Sequence, residues 1–268
     1  AVLLARNLIA ARAMGVVVAH AWAALGALVA LALLGLLLLV DWHHGLIEDT
    51  GAVVASHVVV AVYGFMGLMA LGFSQILVPM FALSPSPPPA PALAALALAV
   101  LAVVGAVAAL VADLAWGLVG AGVAGLAAAA IYLWLMRGCL AARLRKWLDR
   151  AFHLIRLGWL MLPLSIVAGI AVALDLLGDS GLVIFTLLAL VGWLSSFLFG
   201  VLHRVLPFLA AMHASGRGGR DRPAPTVAAL APARAIALHG GCHASALLAL
   251  LLGVVLEATG LVALGAAI

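Results

Sequence analysis

The sequence predicts an all-α polytopic membrane protein of about seven transmembrane helices, with a cytoplasmic N-terminus and an outward-facing C-terminus. Three observations lead there. Of its 268 residues, 68% are hydrophobic and 8% charged, with a mean hydropathy of +1.35. No water-soluble domain keeps so little polar surface around a core, so the bilayer is the solvent. The apolar stretches are continuous Leu/Ala/Val runs without the two-residue alternation of a barrel. Only helices or closed barrels satisfy the backbone in lipid, which leaves a helical bundle. Finally, the loop charges fall into two alternating sets. One holds Arg6 and Arg12, then Arg137, Arg143, Arg145, Lys146 and Arg150, then Arg217, Arg220, Arg222 and Arg234; the other holds Asp41, Glu48, Asp49, Asp113, Asp175 and Asp179. Basic loops mark the cytoplasmic side. Their short clusters beside apolar runs report topology, and exclude nucleic acid as the partner of the formal +4 charge.

The spans follow in order near 14–40, 52–81, 91–112, 115–136, 152–174, 181–211 and 236–262. Each reaches the roughly 20 apolar residues that ~30 Å of hydrocarbon demands at 1.5 Å per residue. The first is too long for a signal-peptide core and lacks a clear cleavage site, so it is read as a retained helix. The segment SPSPPPAP from Ser84 to Pro91 is a stiff extended connector between spans two and three. Spans three and four divide around Asp113. Residues 137–150 carry Leu140, Leu144, Trp147 and Leu148 on one helical face and basic residues opposite, the pattern of an interfacial amphipathic helix on the cytoplasmic surface. The glycine- and arginine-rich run from Ser215 to Pro225 reads as a flexible loop. The two cysteines, Cys139 and Cys242, lie far apart and indicate no disulfide framework.

Spans two and six align without gaps. Gly64, Phe65, Gly72 and Pro79 correspond to Gly192, Trp193, Gly200 and Pro207. Small residues eight apart on a helix admit a neighbouring backbone, and the proline closes the helix. The pattern predicts a parallel four-helix repeat with its last helix missing: residues 1–136 as the first repeat, 137–150 as the surface helix, and 151–268 as a second repeat of three helices.

Nine histidines stand in this apolar chain. Polar side chains kept at membrane depth usually face the bundle interior and serve a function. His20, His203 and His243 each lie about two turns from the basic ends of their helices, ~10 Å deep, so they can converge in one layer. His239 and His243, four apart, share a helical face, and Cys242 between them is a soft-metal candidate. His153 lies nearer the basic surface, Arg156 is one turn deeper, and Arg204 adjoins His203. These arginines need anionic partners, for which haem propionates and lipid phosphates compete equally. His57 begins span two near the opposite surface, after His43 and His44 in the preceding loop; His213 reads as a loop residue. Glu257, near the outer end of span seven, is the one acid placed within the helical layer. For a single histidine, helix–helix hydrogen bonding is the simpler role; five at one level favour a bound group. There is no CxxCH, CxxC, glycine-rich phosphate loop or Ser/His/Asp pattern, which excludes covalent haem, hydrolysis and phosphoryl transfer.

The stretch from His57 through GFMGLMALGFSQILVP to Met80 resembles the second helix of the catalytic subunit of haem-copper oxidases and nitric oxide reductases, and is also similar to NnrS-type haem and copper membrane proteins. Span six, GVLHRVLPFL, is similar to the end of the oxidase tenth helix. The resemblance implies an axial haem-ligand role for His57. Phe185 to Leu187 stand where the tenth-helix ligands would be, and the copper-centre histidines have no counterpart. What is implied is a reduced, oxidase-like protein without a complete oxygen-reducing site.

These observations set the expectation: a membrane-embedded protein binding haem b, with copper as a further candidate, in electron transfer or in O2- or NO-related redox chemistry. The expected haem-binding residues are His57, His20, His203, His243, Arg156 and Arg204; the expected metal ligands are His153, His239, His243 and Cys242. If an enzyme, it would be an oxidoreductase. Alternatives are a metal or proton transporter using the same histidines, or a structural subunit of a respiratory or photosynthetic complex. The expected partners are membrane lipid, a quinone or a cytochrome, and the other subunits of such a complex. The expected location is a bacterial-type inner (cytoplasmic) membrane, multi-pass.

Overall fold

The computed structural model describes residues 2–10, 14–217 and 226–268. It is an all-α polytopic membrane protein, with no strand among the described residues. Among the described residues, seven helices are long and apolar enough to cross a bilayer: Gly15–His44, Thr50–Ala82, Pro89–Val111, Ala115–Ala141, Ala151–Ala173, Gly178–Ala214 and Ala233–Val255. Arg12, Arg220 and Arg222 lie outside the described residues, as does 218–225 of the expected glycine-rich loop; Ser215 to Arg217 continue a helix.

The elements run α1 (Val2–Ala10), α2 (Gly15–His44), α3 (Thr50–Val59), a first π-helical segment (Val60–Gly67), α4 (Leu68–Ala82), α5 (Pro89–Val111), α6 (Ala115–Ala141) and α7 (Ala151–Ala173). There follow a 3-10 turn (Gly178–Ser180), α8 (Gly181–Thr186), a second π-helical segment (Leu187–Ser195), α9 (Ser196–Arg217), α10 (Val227–Leu230), α11 (Ala233–Val255) and α12 (Thr259–Ala267).

Several boundaries differ from the sequence reading for local reasons. The first span runs on to His44, so His43 and His44 occupy its last turn rather than a loop. Gly45, at φ 59°, closes it with its N–H on Asp41 O at 2.7 Å. The buried Asp41 carboxylate then accepts from Ile47 N at 2.7 Å and Thr50 Oγ at 3.1 Å. An acid expected in the loop therefore staples the turn that follows. Pro89 and Pro91 belong to the first turn of α5, where a missing N–H costs no bond. The interfacial helix expected over 137–150 does not form. Residues 137–141 extend α6, and 142–150 are non-helical. Their polar groups serve the neighbouring ends: the Arg143 guanidinium donates to Leu140 O at 2.6 Å, Leu144 N to Leu83 O at 3.1 Å, and Asp149 Oδ1 accepts from Ala151 N at the start of α7 at 3.2 Å.

The expected seventh span also stops early. α11 ends at Val255, and Glu257 adopts φ 52° in a tight turn before α12. Glu257 is thus a turn residue, not an acid inside the helical layer. The bonds Leu256 N to Leu252 O, Glu257 N to Val254 O and Ala258 N to Gly253 O repeat those of Ala112, Asp113 and Leu114 between α5 and α6. A nine-residue helix too short to cross a bilayer, α12, thus follows the turn where the sequence reading continued the seventh span.

Two compact units divide the chain. Unit 1 comprises Ala1–Leu144 and Pro163–Phe185. In it α2 packs on the first π segment and α4, and α5 on α6. Ala24, Leu68 and Leu96 form an apolar centre flanked by Phe65 and Met69. Unit 2 comprises Arg145–Leu162 and Thr186–Ile268, with α12 folded back on α11 through Gly253 and Gly265.

The same glycine contacts recur in register along the two halves. A Cβ on Gly64 would meet Ala27 at 3.1 Å, and one on Gly192 would meet Met161 at 3.0 Å. On Gly72 it would meet His20 Cβ at 2.5 Å, and on Gly200, Ile155 Cγ1 at 2.6 Å. Gly35 receives His57, and Gly169 receives Phe185. Both π segments also fall at aligned positions. Propensity alone gives no reason for that; π turns in helices are rare and concentrate at functional sites.

Candidate functional site

In unit 2 the second π segment ends at Ser195, and the next residues aim a row of side chains at α11. Ser196, Phe199 and His203 lie three and four apart, on one helical face. His239 and His243 present the matching face of α11. The rings gather. His203 stacks on His239 with centroids 4.9 Å apart and planes 18° from parallel; His239 lies 6.4 Å from His243. Phe199 places its ring edge-on to both, at 4.9 and 5.4 Å.

Hydrogen bonds fix the ring nitrogens. His203 Nδ1 lies 2.6 Å from Phe199 O. A carbonyl can only accept, so Nδ1 carries the proton and Nε2 keeps its lone pair. His243 Nε2 lies 2.8 Å from Ser196 Oγ, which is also 3.4 Å from Val191 O in the π segment. His239 Nδ1 is buried without a partner. All three histidines are half-buried, whereas Ser196 is fully buried. Ser196 and Phe199 were not singled out in the sequence. The doublet Ser195–Ser196 in an apolar run was the available signal, but its partner is distant along the chain.

The other predicted residues are placed differently. Arg204 is ion-paired with Asp149, and Arg145 lies 3.9 Å from the same carboxylate. The anion expected from a haem propionate or a lipid is therefore supplied by the chain. His153 and Arg156 are exposed, on the outside of α7, and are not gathered with the trio. Cys242 is a free, half-buried thiol. Among the described residues no group of three or more His, Cys, Asp or Glu is arranged to hold a metal ion, so the proposed site of His153, His239, His243 and Cys242 is not assembled.

In unit 1, His20 lies against Gly72 at 2% exposure, its Nδ1 2.8 Å from Val16 O. His57 is half-buried against Gly35, its Nδ1 buried and unpartnered. Gly35 is fifteen residues from His20 along α2, so the two imidazoles stand about 22 Å apart along the helix axis. They cannot share one small site.

Metal-bound histidines characteristically donate their other N–H to a carbonyl or carboxylate. His203 has that arrangement and is half-buried, so its Nε2 would be the atom to hold a haem iron. The trio does not fit a bis-histidine pair, because stacked rings point side by side rather than at each other. Nor does it complete a copper centre. The chain matches no family model, no curated protein and no solved structure.

Proposed function

We propose that the chain is a membrane-embedded redox protein that binds b-type haem through His203, with His239 and His243 as neighbours of the bound group. The single observation carrying this reading is the half-buried trio, in which His203 Nε2 keeps a lone pair and the buried Nδ1 of His239 has no partner. An unpaired polar group at membrane depth is costly, and its retention calls for a ligand.

Haem, when bound, would supply one-electron exchange and the binding of a gas such as O2 or NO. The protein's own part is orientation and electrostatics. Phe199 O holds the His203 tautomer, and the Phe199 ring walls off His239 and His243. Ser196 fixes the direction of the His243 ring. His57 is a separate candidate ligand, supported by its likeness to the oxidase second helix and by its unpartnered buried nitrogen. Electron exchange with a quinone or cytochrome, membership of a respiratory complex, and a bacterial inner membrane with the arginine-rich loops inside belong to the same proposal.

The test is an absorption spectrum with metal analysis on detergent-purified chain. A Soret band with stoichiometric iron is expected; His203→Ala should lower haem occupancy by roughly 10–100-fold, as for loss of a metal-site residue, while His57→Ala reports the second position separately. No Soret band and no stoichiometric iron would remove the haem reading.

A further inference from the structure

Unit 1 contains a buried polar pair, His20 and Gln75, that the proposed haem site at His203 does not use. In the alignment of the two halves, Gln75 stands where His203 stands. Gln75 is 4% exposed, and its Oε1 is buried without a hydrogen-bond partner. It lies one helical turn beyond Gly72, the glycine that receives His20. α2 and α4 run in opposite senses, since Ala27 faces Gly64 while His20 faces Gly72. The stretch of α2 at the level of Gln75 is therefore that around Val16 and Val17. The His20 ring leans to that level, because helical side chains point toward the N-terminus and its Nδ1 donates to Val16 O.

His20 Nε2 is thus a lone-pair acceptor, and no hydrogen bond is made to it. Gln75 Oε1 is a second acceptor at the same level. Of these two acceptors at one level, Gln75 Oε1 is buried and without a partner among the described residues, so a hydrogen carried on His20 Nε2 would satisfy it. The tight packing of His20 against Gly72 leaves no room for a macrocycle, so the missing donor is small.

We propose that His20 and Gln75 form a proton-binding site inside unit 1, in which a proton taken up at His20 Nε2 is donated in a hydrogen bond to Gln75 Oε1. Hydronium gives up the proton and leaves as water; the imidazole becomes imidazolium, and nothing is oxidised or reduced. The cation then has an acceptor on each side, Val16 O at Nδ1 and Gln75 Oε1 at Nε2, as a charge in apolar surroundings requires. The elements of unit 1 packed against α2 bring Arg6 on α1, His57 on α3 and Tyr63 in the π segment; α4 and α5 bring no titratable side chain. On α2 itself, Asp41, His43 and His44 stand at the far end. No carboxylate therefore competes near Gln75 for the proton. The inference stands apart from the haem reading.

The test is imidazole nitrogen magnetic resonance on ring-labelled full-length chain in lipid nanodiscs, titrated from about pH 8 to pH 4, a range spanning the ordinary imidazole transition. His20 is assigned from the signal missing in His20→Asn, and the exposed His43 and His44 serve as internal controls. We expect His20 to carry hydrogen on Nδ1 at the alkaline end and on both nitrogens at the acid end. At an intermediate pH, Gln75→Leu should lower the doubly protonated population roughly tenfold, one pKa unit's worth, and Gln75→Glu should raise it. Gln75→Met, close in shape, repeats the test should the leucine variant misfold. A His20 ring neutral throughout the titration would mean that a bridging water or the Gln75 amide N–H satisfies Nε2, and would overturn the proposal. So would equal populations in the wild type and the apolar variants. Both outcomes are independent of any Soret band.

Discussion

The polar clusters of the two units are built on the same packing pattern and differ in how closed they are. In unit 2, His203, His239 and His243 are half-exposed, with one nitrogen free and another orphaned. In unit 1, His20 and Gln75 are almost wholly enclosed, and Ala95 and Ala99 of α5 stand in the chain as far before the Asp113 turn as His239 and His243 of α11 stand before the Glu257 turn. The same glycine register thus supports an open polar cluster in one place and a closed one in the other. The helix contacts set where polar groups can sit; the side chains on the neighbouring helix set the size of what they hold.

Three experiments break or sharpen that comparison. The largest effect is expected from Gly200→Ala, whose Cβ would meet Ile155 N at 2.8 Å and Ala151 O at 3.0 Å. Backbone cannot yield as a side-chain tip can, so a loss of about 3 kcal/mol is expected, the upper range for overpacking. SDS-induced unfolding measures it. Gly35→Ala, which meets the tip of the His57 ring alone, Cε1 at 3.4 Å and Nδ1 at 3.9 Å, is the control and should be near neutral. Equal losses in the two would show that the glycines do not set the helix spacing.

Asp149→Asn comes next. It weakens the charge-assisted bond to Arg204 and should cost about 2 kcal/mol. The smallest effect is expected from Glu257→Gly, which relieves a left-handed residue and should stabilise by up to about 1 kcal/mol. A loss instead would mean that the carboxylate itself is needed at the turn.

Much of the architecture was legible in the amino acids, because lipid permits so few solutions. Seven apolar runs became seven spans, and Gly64, Gly72, Gly192 and Gly200 announced close approach before any contact was known. What escaped was set by local capping and by distance along the chain. Asp41 reads as a loop acid until its carboxylate is seen accepting from Ile47 and Thr50. The basic face of 137–150 resembles a surface helix, yet Arg143 and Asp149 serve adjacent helix ends. Of the candidate site, His203, His239 and His243 were legible from depth and spacing. Ser196 was not, since its partner lies on another helix. His153 and Arg156 were misplaced because depth along a helix says nothing about which face a residue occupies, and Arg204 was assigned an external anion because Asp149 is remote in sequence. Gln75 was quoted within a motif without being weighed, since a lone amide in a membrane run carries no charge to attract notice.

The three short reversals at Asp113, Asp175 and Glu257 share a further property. Each has an acid at positive φ, where glycine would be relaxed. By the alternation of the spans, the Asp113 and Asp175 turns of unit 1 belong to one membrane surface. A carboxylate fixed at the apex of a greasy hairpin behaves like a float on a line: the hydrocarbon cannot swallow it, so the hairpin keeps its depth. When bilayer thickness changes, these helices should therefore lean about their turns rather than slide along the membrane normal.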